Sequence, residues 1–448
     1  MSTVAALPGE GTAGPKAVIA RGPRLRPVVG VASFGVLLAL TYFVYGRALD
    51  ILPFSSDNLY ILSWVDRSPA SALLRVDPDV YPEWRPLAYL TVWFQYRWSG
   101  VDQPQAYFTV NLLLWAACGW LIYRIVVRVV GSAAAGLCAA AVIVSDPRAA
   151  SALTWIVERQ TSMACLFGLW ALLVAIGSGE REIGPFGCIG ICALLVASAL
   201  SKEYGLAFAA AIAGCSLWER RLHVTAAAIA AMVLYAGVRI GFAGGAIATF
   251  CEDMGFFFSM RMVCYDGFNG RILAQTAYNI AALGVDVMFP GVLNGDGQIS
   301  LARRLLATGV VWTGVAVYGW LKGPKEARVT ALVLGANAAL GFMLFRNRNH
   351  LVALCALGVS LGIGLAIVNS TLRARVPALM RWFAVSMLMC LVIAQAIHSR
   401  RVVSLAIESL LDEDTCDIRP MDVAFARRIR AAYQMNPSLC AADGRVEQ

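Results

Sequence analysis

Charge is what this chain has least of. Only 15% of its 448 residues are Asp, Glu, Lys or Arg, where a soluble domain carries about a quarter. That deficit excludes an ordinary water-soluble globule, and a mean hydropathy of +0.67 points the same way. Histidine is almost missing, with only His223, His350 and His398. No Cys-x-x-Cys pair or Cys/His spacing of a zinc site occurs. The C-terminal tail shows no repeat period. The net charge of +9 is a surplus of one sign. Its basic residues stand in short clusters between apolar runs, where they set membrane orientation, so no nucleic-acid partner is expected.

What is present in abundance is apolar sequence, 59% of the chain, arranged in runs near the roughly 20 residues that cross a bilayer as helix. Candidate spans are 28–46, 107–126, 130–145, 161–178, 185–201, 203–218, 224–242, 304–321, 329–345, 351–369 and 380–397. The fold class expected is an all-α integral membrane protein of about 11 transmembrane helices with a long helical first outer loop. Residues 1–27 precede the first span without a clear small-residue cleavage site, and read as a disordered cytoplasmic tail before an uncleaved helix. The multispanning domain is 28–397, with outer loops 47–106 and 243–303, and 398–448 form an outer-face tail. Clusters at Arg21/Arg24/Arg26, Arg124/Arg128, Arg220/Arg221, Lys322/Lys325/Arg328 and Arg373/Arg375/Arg381 all fall on one side if the crossings number eleven. That side is then cytoplasmic. Residues 272–289 are apolar enough to cross, yet a crossing there would break the charge pattern, so they read as an interfacial or re-entrant helix.

Of twelve cysteines, Cys118, Cys138, Cys165, Cys188, Cys192, Cys215, Cys355 and Cys390 lie within apolar runs, where thiols act as small hydrophobes. Cys251, Cys264, Cys416 and Cys440 fall in segments assigned outside, where disulfides persist. Four cysteines permit three pairings; the local ones, Cys251–Cys264 and Cys416–Cys440, are preferred, with unpaired loop thiols as the alternative.

Polar chemistry gathers in the same outer segments. The 47–106 loop is long for a connector, and long structured loops tend to be functional. It opens with Pro53-Phe54-Ser55-Ser56-Asp57-Asn58. Ser55 or Ser56 can cap a helix beginning near Asn58, which would hold Asp57 at the membrane surface as a general base or metal ligand. The competing reading makes Asp57 itself the cap. Further on, Pro86 suits the first position of a helix. There Tyr89, Trp93 and Tyr96 form one stripe, as expected of a helix at headgroup depth. With Trp84 they make a candidate acceptor and lipid interface, and Arg85 would stand at the level of a lipid phosphate. Glu158-Arg159-Gln160, Lys202-Glu203 and the group Arg346, Arg348 and His350 lie at other outer span ends. Charges at membrane depth generally face a cavity or a partner, although salt bridging or snorkelling accounts for each group taken singly.

Taken in order, these residues resemble the GT-C glycosyltransferases, and more narrowly the multispanning O-mannosyltransferases that often carry TPR repeats. The resemblance rests on Phe54-Ser55-Ser56-Asp57-Asn58, then Trp84-Arg85-Pro86-Leu87 with Tyr96, Gly100, Tyr107 and Asn111. It continues through Asp146-Pro147, Trp155-Ile156-Val157-Glu158-Arg159-Gln160, Ala199-Leu200-Ser201-Lys202-Glu203 and Arg348-Asn349-His350-Leu351. It covers about 50–205 well and 270–370 loosely. The chain departs from the group at Asn58, where a second acidic residue is common, at His350, where an aromatic is usual, and in lacking the repeats. What the resemblance implies is a polyprenyl-phosphate-linked sugar donor bound from the outer leaflet, with Asp57 as catalytic base. Arg85, Arg159, Lys202, Arg346 and Arg348 would contact the donor phosphate, supported by Asn58, Glu158, Glu203 and His350. The acceptor would be a lipid, glycan or protein. A divalent metal stays open, since Asp57-Asn58 offers one hard anionic ligand where a tight site wants more. Two rival readings share the architecture: a lipid-linked-sugar flippase or transporter, and a glycan polymerase or ligase.

Overall fold

Apolar runs punctuated by proline and glycine make helices with defined ends, and the computed structural model is helical wherever regular structure is described. It describes residues 27–50, 56–74, 84–100, 103–177, 183–243, 314–318, 321–322, 350–375 and 377–412. Within them lie twelve α-helices: α1 (Pro27–Tyr45), α2 (Ser56–Arg67), α3 (Pro86–Ser99), α4 (Pro104–Val130), α5 (Ala133–Val144), α6 (Ala150–Leu153), α7 (Arg159–Gly177), α8 (Pro185–Ser201), α9 (Leu206–Trp218), α10 (Leu222–Ala243), α11 (His350–Arg375) and α12 (Ala378–Asp412). Pro86, Pro104 and Pro185 each open a helix, where the missing N–H has no partner to lose. Gly100 and Gly131 close α3 and α4 with positive φ, each donating its N–H back to the last turn.

Four helices are long and apolar enough to cross a bilayer: Val28–Leu49, Pro104–Val130, Arg159–Ile176 and Leu222–Phe242. They mark a multi-pass membrane protein. Ala133–Val144, Pro185–Ser201 and Leu354–Ser370 are shorter apolar helices beside them. The expected spans at 28–46, 107–126, 130–145, 161–178, 185–201, 203–218, 224–242, 351–369 and 380–397 fall on described helices, while 329–345, most of 304–321, and the outer loop beyond residue 243 with its 272–289 helix lie outside the described residues.

Contacts between the long helices define two ends of the bundle. At one, Tyr45 Oη donates to the Asp146 carbonyl and Gln395 Nε2 donates to the Val142 carbonyl at 2.9 Å. At the other, Trp120 Nε1 donates to the Gly30 carbonyl at 2.9 Å and an Arg221 guanidinium N–H to the Ala175 carbonyl. Arg124, stacked 4.9 Å over the Trp120 ring, shares this second end with Arg221. The core centres on α4, whose Tyr107, Phe108, Trp115 and Tyr123 are fully buried. On α11, Gly358 faces Ile122 and Ile143, and Gly362 faces Val126. A Cβ at Gly358 would come within 2.8 Å of Ile143, and one at Gly362 within 2.4 Å of Val126. Small residues four apart thus let α11 lie close on α4 and α5.

One boundary differs from the sequence reading. α12 does not stop near residue 397 but continues to Asp412, 35 residues in all. At about 1.5 Å per residue it far exceeds the roughly 30 Å hydrocarbon thickness. The polar run His398-Ser399-Arg400-Arg401 ends the apolar pattern, yet nothing from Ala378 to Asp412 is Pro or Gly, so the helix has no reason to break.

Candidate functional site

The end of the bundle that holds Asp146 is where polar side chains enter the interior. Three connections build it: the segment between α5 and α7, the turn Glu203–Gly205 between α8 and α9, and the loop carrying α2 and α3. Asp146 caps the short turn Pro147–Ala149, accepting from the Arg148 N–H at 3.0 Å. It also pairs with the Arg148 guanidinium at 2.6 Å. The 202–205 turn is tight enough to demand glycine, because a Cβ on Gly205 would sit 2.3 Å from the Ser198 backbone carbon.

Glu158 and Lys202 meet inside the bundle. Lys202 Nζ lies 3.0 Å from Glu158 Oε2 with both side chains at most 5% exposed. Thr161 Oγ1 donates to the same carboxylate at 2.6 Å and accepts from Lys202 at 2.8 Å. Burial pushes the Glu158 carboxyl up, but the Lys202 ammonium, the Thr161 hydroxyl and the Arg85 charge outweigh it and hold the group below its ordinary value.

A second pair is shared three ways. Arg85, at the N-cap of α3, places Nε 3.3 Å from Glu203 Oε2. Arg239, one turn from the end of α10, places Nη1 3.0 Å from Glu203 Oε1 and donates to Tyr235 Oη at 2.8 Å. Burial raises the Glu203 carboxyl, and the two guanidinium charges overturn this, bringing it down to about 2. Tyr235 also lies beside Trp84, ring centres 6.2 Å apart. The head of α3 is therefore held against α10 through both residues of its Trp84-Arg85 step.

Arg159 is 1% exposed and belongs to a separate lattice. Its Nε donates to Asn111 Oδ1 at 3.0 Å and its Nη2 to the Tyr107 carbonyl at 3.0 Å. Asn111 Nδ2 in turn donates to the carbonyls of Leu153, at 3.3 Å, and Trp155, at 3.0 Å. From the other side, Asn58 Oδ1 accepts the Ile156 N–H at 2.7 Å. The first turn of α2 is thus fastened to the segment that leads into Glu158 and Arg159. Asp57 is the second residue of α2, a position whose helix dipole favours a carboxylate; its side chain lies outside the described residues.

Arg85, Glu158, Arg159, Lys202, Glu203 and Asn58 are accordingly gathered at one end. Of the remaining sequence candidates, Arg346, Arg348 and the cysteines Cys251, Cys264, Cys416 and Cys440 lie outside the described residues, as does the side chain of His350, the first residue of α11. Among the described residues, the other eight cysteines stand outside any disulfide. Among the described residues no group of three or more His, Cys, Asp or Glu stands together as a metal ligand set.

The aromatic residues expected at an acceptor and lipid interface are largely covered by protein. Tyr89 and Tyr96 are buried, and Trp93 is half-buried. Tyr96 Oη donates to Asp66 at 2.7 Å, Trp93 Nε1 to the Ser68 carbonyl at 3.0 Å, and Trp64 meets Tyr89 edge-on. The stripe therefore packs against α2 and the turn after it. Trp84 is buried too, with Nε1 donating to the Leu74 carbonyl at 2.9 Å. The aromatics α3 exposes are Phe94 and Trp98. A stripe at i, i+4, i+7 marks a covered face, and protein covers it as well as lipid does.

Sequence reading missed Arg239 and Tyr235. The available signal was a lone arginine inside an otherwise apolar span, because a charge at that depth generally has a partner or a function. No protein-family model matches the chain, and no curated protein matches it in sequence.

Proposed function

We propose that this membrane protein is a glycosyltransferase that moves a sugar from a polyprenyl-phosphate carrier to a lipid, glycan or protein acceptor on the outer face of the cytoplasmic membrane. Asp57 removes the acceptor proton. The acceptor oxygen attacks the anomeric carbon from the face opposite the phosphate, the bond from that carbon to the phosphate oxygen breaks, and its electron pair leaves with the phosphate. The transfer inverts the anomeric centre. A phosphate leaving group needs fixed positive charge more than an acid, and such charge in a water-poor site lowers the barrier directly.

The observation that carries this reading is the Asn58–Ile156 hydrogen bond at 2.7 Å. It couples the helix turn bearing Asp57 to the end of the bundle where, beside the Asp146–Arg148 pair, the four cations Arg85, Arg159, Lys202 and Arg239 outnumber Glu158 and Glu203. The GT-C resemblance of the same residues supports the substrate class. Arg159 acts in this scheme through the lattice it supports, since Nε and Nη2 are both engaged within the fold. Glu158 and Glu203 orient the cations.

The test is turnover of purified protein in lipid bilayers with a panel of polyprenyl-phosphate sugars, comparing wild type with Asp57→Asn. Transfer by wild type, reduced at least a hundredfold in Asp57→Asn, is the expected result, in line with about 10²–10⁴-fold for a general base. Equal transfer by both removes Asp57 from its role. No transfer with any donor, alongside measurable flipping of the carrier, would replace the enzyme with a transporter.

A further inference from the structure

The cations at the polar end differ in what they can reach. Arg159 and Lys202 are 1% and 2% exposed, and the Arg85 side chain is 5% exposed, whereas that of Arg239 is 17% exposed. The donors of Arg239 also divide cleanly. Nη1 serves Glu203 Oε1 and Tyr235 Oη. Nε and Nη2, whose two parallel N–H groups form the other edge of the guanidinium, meet no partner among the described residues. An arginine edge of this kind matches two oxygens of a phosphate in one plane. Glu203 holds the opposite edge, and its two oxygens are divided between Arg85 and Arg239, so the trio keeps one positive charge in excess. The residue stands in the last turn of the apolar helix Leu222–Phe242, at the depth of a phosphate whose lipid tail runs along the bundle.

We infer that Arg239 is the ligand-facing cation of this end: a two-pronged site for a phosphate oxyanion, braced by Glu203 and Tyr235, with Arg85 behind the brace. The site needs only an anionic phosphate at the membrane end of α10. It deepens the reading of the proposed glycosyltransferase by naming the residue that meets the carrier phosphate, yet it can be tested without transfer.

The experiment measures binding to the full-length protein in nanodiscs of uncharged lipid, by fluorescence competition at equilibrium. One arm uses a short-chain polyprenyl phosphate, another inorganic phosphate, and a third the matching polyprenyl alcohol. Wild type is expected to bind the polyprenyl phosphate and to bind the alcohol at least about tenfold more weakly, as charge-assisted bonds to an arginine imply. Arg239→Gln is expected to lower the wild-type affinity for the phosphate to the level of the alcohol. Arg239→Lys, which keeps the charge and the Glu203 contact, is expected to fall between them. Competition by inorganic phosphate that Arg239→Gln abolishes assigns the site to the phosphate alone, and absence of such competition, with the lipid arm intact, assigns it to a lipid headgroup. Unchanged polyprenyl-phosphate affinity in Arg239→Gln overturns the inference, as does equal loss in Arg239→Gln and Arg97→Gln, an exposed arginine on α3. Phosphate binding without sugar transfer would leave this site standing and remove the enzymatic reading; transfer with an unaltered KM in Arg239→Gln would do the reverse.

Discussion

Replacing Lys202 with methionine removes one ammonium and keeps most of the apolar stem that fills its place between α7 and α8. Glu158 is then a carboxylate with 4% exposure, left with one hydroxyl partner, Thr161 at 2.6 Å, and the more distant charge of Arg85. Removing one member of a buried ion pair destabilises by about 3–5 kcal/mol, because the remaining charge is stranded. The pH dependence gives this number a signature. In wild type the Glu158 carboxyl titrates below its ordinary 4.5. Its contribution to stability is present above that pH and is lost as pH falls through the lower folded value. In Lys202→Met, burial opposes only Thr161 and Arg85, and the folded value is expected to rise above 4.5. The sign then reverses: the carboxyl favours the fold below 4.5 and opposes it as pH rises through the new value. The deficit against wild type should therefore be largest at neutral pH and shrink towards about pH 4. Adding Glu158→Gln removes the stranded charge and should recover most of the loss. Unfolding free energies from SDS titration in mixed micelles, at about pH 7.5 and pH 4.5, measure all of this. An equal deficit at both pH values, or a double variant no more stable than Lys202→Met, refutes the reasoning.

Glu203 carries the companion prediction: with its carboxyl at about 2 against 4.5 when unfolded, its stabilisation is full above 4.5 and is lost as pH falls towards 2. Glu203→Gln should accordingly be less stable than wild type at neutral pH by up to roughly 3 kcal/mol, with the gap closing in acid, read by the same titration. Asn58→Leu leaves the buried Ile156 N–H without its acceptor and should cost about 1–3 kcal/mol. It should also speed amide exchange across Leu153–Glu158, while Asn58→Asp, which still accepts, keeps that protection. Gly205→Ala drives a Cβ into backbone at 2.3 Å from Ser198 and 2.4 Å from Ala199. It should destabilise by about 2 kcal/mol or more, and an unchanged thermal midpoint would show that the turn has room.

The helices were legible because the sequence marks them twice, by apolar runs and by their ends. Pro86, Pro104, Pro185, Gly100 and Gly131 all stand where α3, α4 and α8 begin or finish. The end of α12 was not legible, because hydropathy reports where lipid ends and says nothing of where a helix does. Charge placement singled out residues that stand together at one end of the bundle, but not the pairing among them. Lys202 and Glu203 are neighbours in sequence and look like one ion pair; instead Lys202 turns to Glu158 and Glu203 to Arg85 and Arg239. Pairs that close between helices depend on rotation of each helix about its axis, which one chain's spacing leaves open. Arg239 was hidden by averaging, since a window that scores 224–242 as apolar absorbs a single charge.

The crossed pairing has a consequence for the chemistry. Each glutamate at this end is held ionised by cations from other helices, Glu158 by Lys202 and Arg85, Glu203 by Arg85 and Arg239. Both carboxyls titrate below their ordinary values, so neither changes charge between about pH 5 and 8. The positive excess at this end is then constant over that range, as the proposed phosphate site would require. In the proposed transfer an acid limb would come from Asp57 acting as base, because the donor phosphate, a diester, stays a monoanion throughout that range. Glu203→Asp should lower the rate of the proposed transfer without moving that midpoint, because a shortened brace displaces Arg85 and Arg239 but does not make the carboxylate titrate. A midpoint that moves with Glu203→Asp would mean that the brace itself exchanges protons, and the division between fixed cations and a single titrating base would not stand.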